Sequence, residues 1–535
     1  MRKLICASLI TASLFASTGC ENYLDVNVNP NGPDQKVAPY LYLPPIQSSM
    51  ALAMQFDARY LSKYTQNLVS TAAGDTWDRH GYIPASDASG ELWRNVYWKL
   101  GYNLSDMISK AEEEQKWDFV GVGHAIRAWG WQMLTDYHGE IILTQAFDPS
   151  RKTFDYDSQE ATYKEAKRLM ELAVTNLNRT DGAVMVSGLS RGDLIYNGDR
   201  TKWLKFTYGL LAINEHHLSN KSSYNPDKVI EYVDNALASN ADNAMVRFNG
   251  SVNDDTNFFG PRRGNLGSFR QSKFAVDLLD GTNPTFQDNN LKDPLFTNAH
   301  LKDPRLQVMM SPAPDGNFRG VVATAGVASI SPTTARPRNV WNTTTDGAQA
   351  STAVGRYLFQ NDASFPLMTY SQLQFIKAEA AWKKGDKALA LQAYTNGVKG
   401  HLDFVKQYVV NDPATPEDEI ALFNQRRTAY EASEVMLPKD PANLTLQKIM
   451  LQKYIAQWGW GFLETWSDLR RYHYSSDVFT GFTLPASLFP DNGGKPAHRV
   501  RPRYNSEYMW NIEALKKVGG LEPDYHTKEM WFTQN

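Results

Sequence analysis

The chain has 535 residues, with 55 Lys and Arg against 58 Asp and Glu, a formal net charge of −3. Aromatics are 12% and charged residues 21%, which excludes wholesale disorder, and the charge balance lacks the basic surplus of a general nucleic-acid binder. At roughly 150 residues per domain the length allows three or four domain-sized units, enough to bury a core without disulfide or metal staples.

Arg2 and Lys3 precede a mostly apolar run, Leu4 to Ala16, followed by Ser17, Thr18, Gly19 and Cys20. A short basic start, an apolar run too short to span a bilayer and small residues before a cut site read as a secretory signal over 1–19. The chain has two cysteines, Cys6 inside that signal and Cys20 at its end. Cleavage before Cys20 leaves a mature chain whose first residue is its sole cysteine. That excludes disulfides and cysteine-ligated zinc from the folded body. Residues 20–40, rich in Asn, Pro and Gly, read as an extended tether.

From Leu41 to Lys116 the pattern turns helical. Residues 60–70 and 92–111 carry apolar side chains at three- and four-residue spacing. Between them the polar loop 71–90 holds Asp75, Trp77, Arg79, His80 and Tyr82. Further helices are expected at Val120 to Tyr137, 159–177, 201–220 and 225–239, the last opened by Asn225-Pro226-Asp227. In 240–350 periodicity fades and Gly, Asn, Asp, Pro, Ser and Thr dominate. This is too long for a plain loop and reads as an insertion with a few short strands and helices. Periodicity returns at 367–384, 386–407, 415–433 and 443–472. The Gly385-Asp386 break, with Ala390 and Tyr394 after it, has the spacing of half a tetratricopeptide repeat. The tail from 473 is irregular.

No phosphate-binding loop, dinucleotide fingerprint, nucleophile elbow or H-E-x-x-H pattern occurs. His216 and His217 point about 100° apart on their helix and make no chelate. No cofactor and no metal are expected. In WGWGFLETWSDLRR (458–471) the aromatics Trp458, Trp460, Phe462 and Trp466 read as core, with Arg470 and Arg471 pairing with carboxylates or capping carbonyls. His138 reads as a helix-end cation or a satisfied polar group.

Seven blocks, in order, resemble the SusD/RagB family of outer-membrane nutrient-binding lipoproteins. They are Cys20 with YLDVNVNPNGPD (23–34), TDYHGEIILTQAFDP (135–149), DLIYNGDRTKWLKFTYGLLA (193–212), KDPRLQVMMSPAPDGNFRGV (302–321), FPLMTYSQLQFIKAEAAWKKGD (365–386), QKYIAQWGWGFLETWSDLRRYHY (452–474) and RVRPRYNSEYMWN (499–511). The resemblance implies a mainly α fold of tetratricopeptide-like helical pairs with an irregular loop-rich lobe, forming one domain over 41–535. It implies a lipid-anchored protein facing outward on a Bacteroidetes-type outer membrane, capping a SusC-like TonB-dependent transporter. The cargo it implies is an oligosaccharide, with a peptide as the alternative. A surface glycoside hydrolase ranks behind both.

In resembling proteins an early loop and the irregular lobe supply the ligand surface. A sugar site needs aromatic planes flanked by polar side chains. The candidates are therefore Asp75, Trp77, Arg79, His80 and Tyr82 in the early loop, and Phe258, Arg262, Arg263 and Trp341 in the insertion. Trp77 either binds a sugar or packs inward. Trp93 and Tyr97, four apart, share a face read as core. Acyl chains on Cys20 would anchor by burying methylenes, about 0.8 kcal/mol each. Labelled palmitate is expected to mark the wild type and not Cys20→Ala, and equal labelling or none in both would overturn the anchor.

Overall fold

The computed structural model describes residues 37–294, 300–349, 353–409 and 419–535. The signal, Cys20 and most of the tether lie outside the described residues. The helices, in order, are α1 Leu43–Tyr64, α2 Glu91–Arg94, α3 Gly101–Glu113, α4 Trp117–His138, α5 Gln159–Leu177, α6 Arg200–His217, α7 Pro226–Asp234, α8 Lys273–Asp277, α9 Leu306–Met309, α10 Tyr370–Lys384, α11 Lys387–Lys406, α12 Glu419–Ala432, α13 Leu446–Gln457, α14 Phe462–Arg471 and α15 Ile512–Lys517. Two π-helical turns, π1 Asn95–Leu100 and π2 Tyr504–Tyr508, interrupt the α pattern. The fold is mainly α, as expected.

The long helices stack serially. α4 packs on α5, α5 on α6, α6 on α7, α7 on α10, and α10 on both α11 and α13. Such neighbour-on-neighbour packing is the logic of helical repeats. Local chemistry starts most of these helices. Ser158, Asp199, Asn225, Thr369, Asp386 and Thr445 each accept a first-turn backbone N–H at the start of α5, α6, α7, α10, α11 and α13. Each such cap is worth about 1 kcal/mol. α10 stops at Gly385, whose φ of 88° is left-handed and favours glycine. The helix–break–helix expected there is α10 and α11, with Ala390 and Tyr394 fully buried between them.

The strands are short and pair across long sequence gaps. β1 (Leu68–Ser70) runs antiparallel to β3 (Phe269–Gln271), and β2 (Ala244–Val246) antiparallel to β4 (Phe365–Met368). They fasten the loop-rich 240–349 region to α1 and to the start of α10. Trp458, Trp460, Phe462 and Trp466 are all core.

A chain of buried charges runs through the stack. Arg471 grips Glu379 of α10 with both Nη atoms, at 2.8 and 3.0 Å, and reaches Asp468 at 2.6 Å. Lys453 of α13 bridges Asp468 (2.9 Å) and Glu464 (3.1 Å). His217 of α6 lies 2.9 Å from Glu464 and 3.2 Å from Asp136 of α4, and Tyr163 of α5 donates to Asp136. Arg470 instead donates to the carbonyls of Trp466, Asp136 and His498. So one arginine pairs with carboxylates and its neighbour serves carbonyls. His138 is no cation: burial lowers its pKa to about 3, and its Nδ1 donates to the Val500 carbonyl.

Burial opposes a charge on His217, but Glu464 and Asp136 outweigh it and raise its pKa to about 9. Burial likewise opposes ionisation of Glu379, and Arg471 outweighs it, holding that carboxyl well below its usual range. By linkage, the stability from His217 is fully present below pH 6.5 and is lost as pH rises through 9. The contribution of Glu379 is present above pH 4.5 and is lost as pH falls through its depressed pKa. The contribution of these two groups, read by urea unfolding, should therefore be full between about pH 4.5 and 6.5 and fall on both sides. Arg471→Met, which strands Glu379, should cost about 3–5 kcal/mol at pH 7. A loss under 1 kcal/mol would show that the network is dispensable.

Candidate functional site

The most open aromatic surface is built where the early loop, α2–π1, the 135–149 block and the C-terminal run 499–511 converge. α2 has no capping side chain of its own at Gly90. Asp57 of α1 supplies the cap, accepting from Leu92 N at 2.8 Å and Glu91 N at 3.3 Å. Burial raises the Asp57 carboxyl to about 7 even against these bonds.

The π1 turn follows α2 directly. Trp93 is buried, while Trp98 projects at 69% exposure and Tyr102 at 52%. π turns are rare and gather at functional sites. Arg94 lies over Trp98, its Cζ 5.1 Å from the ring centre. At Gly101 a Cβ would meet the Phe147 ring at 2.5 Å, so only glycine lets that ring close the wall. Phe147 packs against Tyr102 and Trp131.

The C-terminal run reaches the same place through two backbone joints. Val500 N donates to Tyr137 O at 2.9 Å, and His138 Nδ1 returns to Val500 O at 3.0 Å. Asp87 of the early loop accepts from Arg503 Nη2 (2.5 Å), from Asn505 N (2.9 Å) and from Asn505 Nδ2 (2.7 Å), capping π2. Tyr504 and Tyr508 stack with ring centres 5.5 Å apart. Trp510 follows at 75% exposure, beside Asn511, which clasps Phe154 through N–H···O contacts of 2.9 Å in both directions.

Three depressions line up here. A cavity of about 200 Å³ lies between loop 82–89 and Arg501, Arg503, Tyr504 and Tyr508. Arg503 is shared with a second, of about 260 Å³, walled by Trp93, Tyr97, Trp98, Tyr102, Ile142, Phe147 and Phe154. Ala146 and Phe147 are shared in turn with an open groove of about 880 Å³ along α3, α4 and α5. Exposed rings, guanidinium groups and backbone carbonyls along a linked trough suit a ligand that has apolar C–H faces and many hydroxyls.

The expected site residues are placed differently from one another. Tyr82 borders the first cavity, its OH donating to Asp491 at 3.0 Å and its ring 4.0 Å under Arg501 Cζ. Trp77 is buried, 4.6 Å from Tyr60 and 5.7 Å from Tyr64 between ring centres, and also contributes to the lining of the first cavity. His80 is fully buried and lowered to about 3 by burial; its Nδ1 accepts from Ala497 N. Arg79 donates to the Ser487 and Leu488 carbonyls. Asp75 pairs with Lys63 at 2.9 Å and accepts from Trp77 N.

In the insertion, Phe258 is buried against Phe56 and capped by Arg59. Arg262 donates to Ser251 O and Arg263 to Asn253 O. Trp341 is buried, its Nε1 donating to Phe259 O at 2.7 Å. Of the two readings left open for Trp77, inward packing is the one seen, at the edge of the first cavity, and the stacking expected of Phe258 and Trp341 gives way to core packing, because each ring has aromatic or backbone partners on the inside. Among the described residues, Phe258, Arg263 and Trp341 share no hydrogen bond or ring contact with residues 75–82. The exposed rings that sequence reasoning passed over, Trp98, Tyr102 and Trp510, had two usable signals. Trp98 falls outside the Trp93/Tyr97 face, and RVRPRYNSEYMW sets three arginines directly before three aromatic residues.

A sequence profile described as "Starch-binding associating with outer membrane" matches residues 30–480. A search of curated proteins finds no match. Among solved structures, a SusD/RagB family protein from Bacteroides thetaiotaomicron VPI-5482 aligns with a TM-score of 0.65 at 22% identity, over 93% of this chain and 99% of that one. A chitin-binding SusD homologue from Flavobacterium johnsoniae aligns with a TM-score of 0.63 at 18% identity, over 93% and 99%. A SusD homologue from Bacteroides fragilis NCTC 9343 gives 0.66 at 16%, over 93% and 100%. Likenesses at these identities speak to the fold, and the profile spans most of the sequence: the chain belongs to the SusD-like family.

Proposed function

We propose that the protein is a glycan-binding protein of the outer membrane that holds an oligosaccharide along the trough beside Trp98 and hands it to a SusC-like TonB-dependent transporter. Anchoring through lipid on Cys20, on the outward face, belongs to the same reading. No helix among the described residues is long and apolar enough to cross a membrane. The observation that carries the glycan reading is the placement of exposed rings. Trp98, Tyr102 and Trp510 stand out in solvent on the segments that wall the linked depressions. Solvent-facing aromatic planes are the surface a pyranose C–H face stacks on, and fixed carbonyls and guanidinium groups beside them meet its hydroxyls. The chitin-binding relative and the family's starch-binding description support the ligand class. We read the protein as a binder and not an enzyme.

A glycan array followed by calorimetry on the soluble form, residues 21–535, tests this. Trp98→Ala should weaken the best-binding oligosaccharide about tenfold, equal to about 1.4 kcal/mol, and Trp510→Ala should weaken it in the same direction. Unchanged affinity in both would remove the ligand from this trough, and cleavage of the glycan by the purified protein would replace binding with hydrolysis. Trp341→Ala is a contrasting case. It should lower stability by about 3–5 kcal/mol while the folded fraction binds as the wild type does, and a selective loss of affinity would return the site to the insertion.

A further inference from the structure

The trough does not carry the same charge along its length. The first cavity, about 200 Å³, has Arg499, Arg501 and Arg503 in its lining and no Asp or Glu. Two of these arginines are neutralised: Arg499 Nη1 lies 2.5 Å from Glu140, and Arg503 Nη2 lies 2.5 Å from Asp87. Arg501 is not. Its Nη atoms donate to the carbonyls of Gly520, Glu522 and Pro523 at 3.0, 2.7 and 2.6 Å, and to Tyr508 OH at 3.1 Å. Its plane lies 4.0 Å over Tyr82, and its buried Nε has no acceptor. Among the described residues no carboxylate pairs with it. His526, also in the wall, is lowered to about 4 by burial and by Arg501, so it is neutral and adds no charge of its own. Carbonyl dipoles and a ring face hold the guanidinium in place without cancelling its unit charge. Arg503 spends only Nη2 on Asp87 and stands at the boundary with the second cavity.

From this we propose that the first cavity selects an acidic sugar unit, one bearing a carboxylate or a sulfate, with Arg501 supplying the uncompensated positive charge and Arg503 the planar donors at its edge. Arg501, its four Nη hydrogens committed to carbonyls and Tyr508, acts as a fixed charge, and Arg503 is the guanidinium whose N–H donors can meet either anion. The stacked Tyr504 and Tyr508 rings beside it supply an apolar wall. The neutral part of the chain then lies in the second cavity beside Trp98. This deepens the glycan reading and rests on it.

The test compares acidic and neutral oligosaccharides of equal length on the wild type by calorimetry. The acidic probes are galacturonate, glucuronate-containing and sulfated tetrasaccharides, and the neutral ones are their carboxyl-reduced or desulfated forms. At least one acidic probe should bind ten or more times tighter than its neutral form. Raising NaCl from 50 to 500 mM should weaken the acidic probe several-fold and leave the neutral one nearly unchanged. A preference kept by uronates and absent from sulfates, or the reverse, identifies the anion. Arg501→Gln should bring the acidic-to-neutral affinity ratio toward one, and Arg501→Lys should keep part of it. Since Arg501 also ties down residues 520–523, both variants are checked by thermal melting; where one is unfolded, the wild-type salt dependence decides. Neutral probes that bind with no acidic preference would overturn this inference and leave the glycan reading standing. No binding of any probe, with Trp98→Ala indistinguishable from wild type on the array, would overturn both.

Discussion

Everything in this molecule hangs on charges placed where water is absent. Arg471, Glu379, Asp468, Lys453, Glu464, His217 and Asp136 form one connected path through α14, α10, α13, α6 and α4. Each member is costly to bury alone, and partners on different helices offset that cost only in one relative arrangement. Apolar packing between helices tolerates sliding by a fraction of a turn. A bidentate Arg471–Glu379 pair does not. We take the network as what fixes the register of the helical stack, a role open to test by replacing the members together with apolar residues of matched size.

The same helix connects the stack to the site. Arg470, next in sequence to Arg471, lies fully buried and spends its donors on backbone carbonyls, including Asp136 O at 2.8 Å and His498 O at 2.7 Å. Burial without a carboxylate partner lowers its pKa to about 10, so it stays charged at pH 7. Asp136 begins the block that leads to Ile142 and Phe147, and His498 begins the run that leads to Arg503 and Trp510. One guanidinium therefore clamps two segments more than 300 residues apart. The trough walls meet because a core arginine holds both of their roots.

What the sequence makes legible follows from which forces are local. Helix periodicity and caps are local, and α5, α6, α7, α10 and α11 are found close to where spacing places them, Gly385 included. The aromatic block 458–466 reads as core because polar positions are scarce within it. The binding face is a different matter. Trp98 and Trp93 are five residues apart, and an unbroken α-helix would turn them to directions set by 3.6 residues per turn. Five residues are about 140° apart on an α-helix, so spacing already turns Trp98 away from Trp93; the packing around it, with Asp57 capping α2 from another helix and Gly101 admitting Phe147, comes from distant contacts. Neither condition is visible in a window around Trp98.

Trp77 and Trp98 show the same point from opposite sides. Both are tryptophans near polar residues in the first hundred positions, and composition alone favours the one in the Gly/Asp-rich loop as the exposed ring. In the fold, Tyr64 of α1 donates to Gly81 O at 2.6 Å and pulls that loop down onto the helix, placing Trp77 against Tyr60 and Tyr64. What the loop contributes to the site is its second half: Asp87 fixes π2, and residues 82–89 roof the arginine-lined cavity. A loop can thus shape a binding site while its most conspicuous ring lies in the core. Trp98, the ring left in solvent, comes instead from the helical segment that follows.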